Sequence, residues 1–238
     1  MVVDFLCKMR SSGIKETSIN HKISGLKMFF EVGNTYKLFR VDANSLITKR
    51  DYPRIPESIP RFIPSYILKQ LNEHLDWLPE PVARMVIVLQ ACGMRYRELA
   101  TIPFNCLVCL SVHGSEEKKW SIRFYDYKLK QDRMLPISDE IASIVKKQQR
   151  FIRSYFGDSH EYLFTGRDLK SNTKSFYPSK DRVMSLDSFN VYLNNLAKDY
   201  NIKDENGKLW EFSSHQFRHT VGTEAIQNGV PFHIVMKL

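Results

Sequence analysis

The sequence predicts an α+β fold that is mostly α-helical and carries one small antiparallel sheet. Helical periodicity dominates most of the chain. Between residues 104 and 137, β-branched and aromatic residues take over, and apolar and polar side chains alternate over 120–125. Polar stretches at 112–119 and 128–132 provide turns. We therefore expect a sheet of three antiparallel strands.

The helices follow from apolar spacing and from the residues that begin and end each segment. Pro81 suits an opening turn and Gly93 suits a C-terminal end, with apolar residues on nearly all sides between them. We expect this segment to be a core helix. The predicted helical segments are, in order, 16–32, 65–78, 81–93, 139–156 and 186–200, and a further helix begins after Ser213.

Composition limits the classes of partner. The 238 residues are 43% hydrophobic and 26% charged, which is typical of a globular protein. Basic residues exceed acidic residues by 35 − 26 = 9, a balance that favours a polyanion such as nucleic acid. The longest apolar runs, such as residues 85–89, are too short for a membrane span, and no signal peptide is recognisable, so we expect no membrane partner.

The cysteines indicate a reducing compartment. Four cysteines are too few for a disulfide scaffold of this size, so a cytoplasmic location is the simplest expectation. Cys106 and Cys109 form a C-x-x-C pattern but lack a second pair of ligands at zinc spacing. We therefore expect no metal site there and interpret both cysteines as strand residues.

Prolines divide the chain. Pro53, Pro56, Pro60 and Pro64 recur too often for a helix and remove hydrogen-bond donors from a strand. Residues 53–64 are therefore expected to be an extended linker. This leaves a small, basic helical segment at 1–52 and a larger domain at 65–238.

Three short motifs carry cationic side chains that suit a phosphate. Arg95 directly follows the predicted core helix, with Glu98 near enough to orient its guanidinium. Lys128 and Lys130 lie at a predicted strand end or turn. Each of these two motifs, taken alone, is better explained by an exposed charged turn.

The third motif lies at the start of the last predicted helix. Ser213 and Ser214 are good N-caps, and helical spacing then puts His215, Arg218 and His219 on one face near the positive end of the helix dipole. Nitrogen donors in that position suit a phosphate oxygen. A solvated face with one packed histidine is the alternative.

Together these motifs resemble those of the tyrosine recombinases, also called phage integrases, and most closely the transposon-encoded members. CGMRYREL at 92–99 resembles their first arginine box, KLKQDRMLPI at 128–137 their sheet lysine, and HQFRHTVGTEAIQNGV at 215–230 their H-x-x-R box. The motifs occur in the family's order, and the resemblance extends from about Pro64 to the C-terminus.

The resemblance implies an integrase-type catalytic domain over 65–238, preceded by a partial core-binding segment over 1–52 that helps to clamp DNA. It implies catalytic roles for Arg95, Lys128, His215 and Arg218, with Lys130 as the alternative sheet lysine. In this family a tyrosine attacks the scissile phosphodiester and forms a 3′-phosphotyrosine without a metal. The implied partners are double-stranded DNA and other recombinase subunits on that DNA, with no cofactor and no small-molecule substrate.

The sequence departs from the family at its C-terminal end. Members follow the H-x-x-R box with a glycine-histidine element and then the nucleophilic tyrosine. Here the last tyrosine is Tyr200, and 238 − 215 = 23 residues follow His215. His233 precedes the expected position of the family histidine. The expectation is a truncated catalytic domain that is inactive alone, unless another subunit donates a tyrosine.

Two alternatives remain at this point. The chain could be a non-catalytic DNA-binding module that occupies or regulates recombination sites. A type IB topoisomerase shares similar chemistry, but nothing in the sequence indicates the larger clamp that such enzymes use.

Overall fold

The computed structural model describes residues 2–42, 47–55, 62–111, 118–168 and 175–235. The chain divides into two compact units, Met1–Ile59 and Pro60–Leu238. Several sequence expectations fall outside the described residues: most of the first strand connection at 112–119, part of the basic loop after residue 165, and residues 56–61 of the expected linker.

The first unit contains helices α1 (Val2–Ser11) and α2 (Glu16–Thr35) and a 3-10 turn at Lys49–Asp51. Helix α2 was predicted from its apolar spacing and extends three residues further than expected. Helix α1 was not predicted, because only two of its residues are buried and no long apolar stripe marks it. Both helices contribute to a small core of Leu6, Met9, Ile19, Ile23 and Ile47.

Each helical segment predicted in the second unit contains a helix, whereas the short helices Tyr96–Ala100 and Phe232–Val235 were not predicted. Segment 139–156 forms one helix over its full predicted length. Segment 65–78 instead forms a shorter helix that ends at Glu73, followed by a 3-10 turn at Leu75–Trp77. The helices are α3 (Ser65–Glu73), α4 (Glu80–Cys92), α5 (Tyr96–Ala100), α6 (Asp139–Phe156), α7 (Leu186–Asp199), α8 (Ser214–Gln227) and α9 (Phe232–Val235).

Helix α4 lies at the centre of the second unit, as its composition predicted. Seven of its thirteen residues are buried. It ends at Gly93, which has a left-handed φ of 57° that glycine adopts without a steric penalty. The main core of this unit includes residues from α4, α7, α8 and the sheet. The C-terminal end of α4 is therefore held in place by apolar packing, independently of the charged residues that follow it.

The three-stranded antiparallel sheet is confirmed. Its strands are β1 (Leu107–Ser111), β2 (Lys118–Asp126) and β3 (Gln131–Ile137), in the order β1-β2-β3. Asp126 pairs with Gln131 and closes the turn between β2 and β3. The predicted alternation holds for Ile122 and Phe124, but Ser121 is also buried, on the opposite face of the central strand. Both faces of β2 are therefore partly covered.

The two cysteines of the C-x-x-C pattern have different environments. Cys106 is buried just before β1, whereas Cys109 is exposed within that strand. In the described ranges, no group of three or more histidine, cysteine or acidic side chains is arranged to hold a metal ion. No helix in these ranges has both the length and the hydropathy needed to cross a bilayer.

Candidate functional site

Arg95 is held at the junction between α4 and α5 by a buried glutamate. Arg95 is the N-cap of α5, and its backbone N–H donates to Glu98 Oε2 at 2.8 Å. Its Nη1 also donates to Glu98 Oε1 at 2.6 Å. The Glu98 side chain is 1% exposed and the Arg95 side chain 30%. A buried carboxylate thus fixes both the backbone and the guanidinium of Arg95, as the spacing suggested.

Helix α8 brings Arg218 to the same junction. Ser213 is the N-cap, and its N–H donates to the Gln216 side chain at 3.0 Å. Phe217 is buried in the core, so the next residue lies beside the end of α4. Arg218 Nη1 donates to the carbonyl oxygen of Gly93 at 2.8 Å. The first and last predicted arginines, 123 positions apart in sequence, are therefore both placed at the C-terminal end of α4.

Gly93 also permits the close approach of the two helices. A Cβ atom on this residue would lie 3.0 Å from Val221 Cβ, closer than side chains normally pack. Gly93 also combines a left-handed backbone with a carbonyl oxygen that accepts a hydrogen bond from Arg218. The sequence predicted Gly93 as a helix end, but not as the contact point with α8.

The charges at this junction influence one another. Burial lowers the pKa of Arg218 from its usual value, and the positive charges of Arg95 and Arg133 lower it further, while Glu98 and Asp126 act in the opposite direction. No carboxylate in the described part of the chain forms an ion pair with Arg218. An anion near Arg218 would relieve this excess of positive charge.

His215 belongs to the same cluster. Its pKa is lowered, first by partial removal from water and then by the charges of His219, Arg218 and Arg95. The rings of His215 and His219 are nearly perpendicular, with centroids 4.8 Å apart. His215 is exposed, so it is accessible to a bound molecule.

Lys128 lies in the turn Tyr127–Lys130 between β2 and β3, and its side chain is exposed. Its backbone N–H donates to Asp126 Oδ1 at 2.9 Å. Lys130 is also exposed, and it has a left-handed φ of 54°. The backbone of Lys128 is therefore tied to a residue that also contacts Arg95, since Arg95 Nη1 lies 3.4 Å from the same Oδ1.

Two residues of this cluster, Asp126 and Arg133, were not predicted from the sequence. Arg133 Nη1 donates to Asp126 Oδ2 at 3.2 Å, and the Asp126 side chain is 1% exposed. Burial alone would raise the pKa of Asp126, but hydrogen bonds from Leu129, Arg133 and Lys128 and the charge of Arg95 lower it overall. One signal was available: Arg133 alternates with Leu135 and Ile137, so it lies on the inward face of β3.

The cluster can bind an oxyanion. Two arginines and a histidine converge, and a lysine-bearing turn is attached to them through Asp126. Fixed guanidinium groups match the geometry of phosphate oxygens, and preorganised donors of this kind stabilise charge that develops during a reaction.

Comparison with known sequences identifies the group of proteins to which this arrangement belongs. Residues 62–238 match the model of the phage integrase family. Transposase B from transposon Tn554 of Staphylococcus aureus is 38% identical over 234 residues, which cover 98% of this chain and 34% of that protein. The chain thus spans about a third of the length of these relatives. Tyrosine recombinase XerA of Pyrococcus horikoshii is 24% identical over 238 residues, covering 98% of this chain and 68% of that protein.

Solved structures share the fold. A lambda integrase dimer bound to a core site has a TM-score of 0.65 at 10% identity, covering 99% of this chain and 76% of that chain. The Tn1549 transposon integrase in complex with circular intermediate DNA has a TM-score of 0.63 at 15% identity, covering 98% and 74%. The family match covers most of the chain and includes every residue of the cationic cluster, so the chain belongs to the phage integrase family.

Proposed function

We propose that this chain is the DNA-binding catalytic part of a site-specific recombinase, and that its cationic cluster holds the scissile phosphodiester. The observation that carries the proposal is the meeting of Arg95 and Arg218 around Gly93, with a shared positive potential that extends to His215. Such a potential favours a phosphate over a neutral ligand.

Each predicted residue has a role in strand transfer. Arg95 and Arg218 donate to the non-bridging oxygens of the phosphate and offset the charge that develops during attack. Lys128 protonates the departing 5′ oxygen, and His215 handles the proton of the attacking tyrosine. The covalent 3′-phosphotyrosine retains the energy of the broken bond, so a second strand can be joined without an energy source.

The organisation of the chain fits the same proposal. Residues 1–52 would act as a partial core-binding segment and residues 65–238 as the catalytic domain, with double-stranded DNA and other recombinase subunits on that DNA as partners. The homologous Tn1549 integrase and lambda integrase were solved on DNA, the latter as a dimer.

A second candidate function is a DNA-binding module that occupies recombination sites without cutting them. The two tyrosines next to site residues have engaged hydroxyl groups. Tyr96 donates to the carbonyls of Met184 and Ser185 at 2.8 and 3.0 Å, and burial raises its pKa. Tyr127 donates to Thr101 Oγ1 at 3.0 Å. Both hydroxyl groups beside the cationic cluster are thus held within the fold, which favours DNA binding without a covalent step at these two tyrosines.

The binding test is a salt titration on a short duplex of mixed sequence. If cationic residues contact phosphates, log affinity falls linearly with log salt, with a slope of about −0.9 per neutralised phosphate. A flat response to salt would remove DNA as the ligand. Arg218→Gln should flatten the slope relative to the unsubstituted chain, whereas Lys198→Gln, in the last turn of α7, serves as a charge-matched control.

The cleavage test separates the two functions. The chain is incubated with a pool of nicked duplexes of randomised sequence, from which a short fragment escapes after cleavage, and any covalent adduct is isolated under denaturing conditions and its DNA sequenced. Binding without an adduct supports the module, or a recombinase that receives its tyrosine from another subunit. A covalent protein-DNA adduct would establish strand cleavage by this chain and overturn the non-catalytic function.

A further inference from the structure

Asp126 is a buried carboxylate that connects three parts of the candidate site. Its Oδ1 accepts hydrogen bonds from the N–H groups of Lys128 and Leu129 at 2.9 and 3.0 Å and lies 3.4 Å from Arg95 Nη1. Its Oδ2 accepts from Arg133 Nη1 at 3.2 Å. A charge that is 1% exposed is costly to bury unless it is paired and hydrogen-bonded, and this carboxylate satisfies both conditions.

These bonds fix the backbone of the turn that carries Lys128. An aspartate whose side chain accepts from the N–H groups two and three residues later imposes a turn on its own backbone. The same oxygen contacts Arg95, so the start of the turn is held at a set position relative to that guanidinium. Lys130 lies at the far end of the turn, with a left-handed backbone. The Asp126 side chain therefore fixes the backbone at Lys128 directly, whereas Lys130 lies beyond the two amides that it accepts from.

The turn has a second attachment on its outer side. Tyr127 donates its hydroxyl to Thr101 Oγ1 at 3.0 Å, and the Arg97 guanidinium lies 4.0 Å from the centroid of the Tyr127 ring. Arg97 and Thr101 belong to the short segment that begins with Arg95. Asp126 contacts Arg95, and Tyr127 contacts Arg97 and Thr101. Both residues are therefore attached to segment 95–101.

We propose that Asp126 is a positioning residue that holds Lys128 at the phosphate bound by Arg95 and Arg218. The inference rests on the proposed function, because it requires a phosphate at those arginines. Asp126 does not touch the phosphate itself. It sets the turn backbone while neutralising part of the charge of Arg95 and Arg133, which leaves the lysine in place before DNA arrives.

The test uses the 238-residue chain and three variants: Asp126→Ala, Asp126→Asn and, as a matched control, Asp132→Asn on the exposed part of β3. Hydrogen exchange reports the order of the turn at the amides of Lys128 and Leu129. Loss of a charged acceptor in Asp126→Ala should speed their exchange about tenfold. Slow exchange at buried residues of α4, such as Val86 and Leu89, shows that the fold is retained.

The second measurement follows Lys128 itself. Lysine acetylation, mapped by mass spectrometry with and without a short mixed-sequence duplex, gives the protection of each lysine by DNA. In the unsubstituted chain and in Asp132→Asn, DNA should protect Lys128 more than Lys130. In Asp126→Ala the two lysines should be protected equally, while overall binding is retained through the arginines. Asp126→Asn keeps one oxygen acceptor and should give an intermediate preference.

Three results would overturn the inference, and they are distinguishable. If both Asp126 variants keep the preference for Lys128, the positioning role fails while the DNA site stands. If both lose slow exchange in α4, Asp126 is required by the fold and not specifically by the turn. If DNA fails to protect Lys128 in the unsubstituted chain, the proposed phosphate site fails and the positioning role fails with it.

Discussion

Arg95 and Arg218 both lie at the C-terminal end of α4, but their charges are balanced in different ways. Arg95 contacts two buried carboxylates, Glu98 at 2.6 Å and Asp126 at 3.4 Å. Arg218 donates to a neutral carbonyl, and the positive charges of Arg95 and Arg133 add to burial in lowering its pKa. One arginine is compensated within the fold, whereas the other carries an excess of positive charge.

Because of this difference, we expect the two arginines to contribute unequally to the stability of the chain and to its binding of an anion. Removing Arg95 leaves the buried Glu98 without its ion-pair partner and takes one of two arginines from Asp126, which costs folding free energy. Removing an uncompensated arginine relieves repulsion in the free protein and costs mainly the interaction with an anion. We therefore expect Arg95 to matter more for the fold of the site and Arg218 more for what the site binds.

The largest expected effect is on stability. Arg95→Ala should lower the free energy of unfolding by about 2 to 3 kcal/mol, less than the full cost of orphaning a buried carboxylate because Arg95 is 30% exposed. Arg218→Ala should cost clearly less, since it loses one hydrogen bond to a carbonyl and relieves like-charge repulsion. Denaturant unfolding of both variants measures the difference.

A double substitution serves as the control for this comparison of stabilities. Glu98→Gln, combined with Arg95→Ala, removes the carboxylate that Arg95→Ala leaves unpaired, since Asp126 keeps Arg133, and should recover part of the lost stability. Equal destabilisation by Arg95→Ala and Arg218→Ala would show that the two arginines are balanced alike, and that stability and binding are not divided between them.

The second prediction concerns the residue that joins the two arginines. Gly93→Ala should destabilise the chain by about 1 to 2 kcal/mol, because alanine is strained at positive φ and its Cβ would crowd Val221. Gly207 has a φ of 74°, and a Cβ atom there would meet no other atom of the described residues within 4 Å, so Gly207→Ala carries the backbone strain alone. The difference between the two losses of stability therefore measures the steric cost of the contact between α4 and α8 at Gly93.

The steric part can be isolated further. Val221→Ala in the Gly93→Ala background should be less damaging than Val221→Ala alone, since it removes the atoms that the new Cβ meets. Additive effects of the two substitutions, measured by thermal unfolding, would contradict a direct contact between these positions.

The helices with a continuous apolar pattern and the three-stranded sheet could be predicted from the sequence. Segment 139–156 has a Ser138 N-cap and an amphipathic pattern, and it forms a helix over that whole range. The pattern is local, so a single chain reveals it. Helix α1 has no such pattern, because a core of only five buried residues requires little of its sequence.

The candidate site could be predicted from the sequence only in part, because the contacts that assemble it are not local. Arg95, Lys128, His215 and Arg218 lie in recognisable motifs, but what joins them depends on contacts distant in sequence. Asp126 contacts Arg95 across 31 positions, and Gly93 contacts Arg218 across 125. An isolated aspartate before a turn resembles any other aspartate until the fold brings two arginines to it.

The third prediction compares the two arginines in binding. Arg218→Gln should weaken affinity for a short duplex by about tenfold at moderate salt, the effect of losing one charge-assisted hydrogen bond of about 1.4 kcal/mol. Arg95→Gln should weaken it less, because part of that guanidinium already serves Glu98 and Asp126. Fluorescence anisotropy at several salt concentrations checks both, and a larger loss for Arg95→Gln would reverse the assignment.

The smallest expected effect is the pH dependence contributed by His215. Its pKa is lowered in the folded chain, so the unfolded chain binds a proton more readily as pH falls below about 6.5. The stability due to neutral His215 is therefore complete above that pH and is lost as pH falls toward the lowered folded value. His215→Asn should remove this part of the slope, and the difference between the two proteins isolates it from the other histidines.

Binding of a phosphate should act on the same residue in the opposite direction. A negative charge beside His215 favours its protonated form and raises its pKa, so binding takes up a proton and the affinity for DNA increases as pH falls through this range. The increase should be reduced in His215→Asn and retained in His160→Asn, whose histidine lies outside the cationic cluster and also has a lowered pKa. An identical pH dependence of affinity in all three proteins would show that the bound phosphate lies away from His215, and therefore away from the exposed side of the Arg218 cluster.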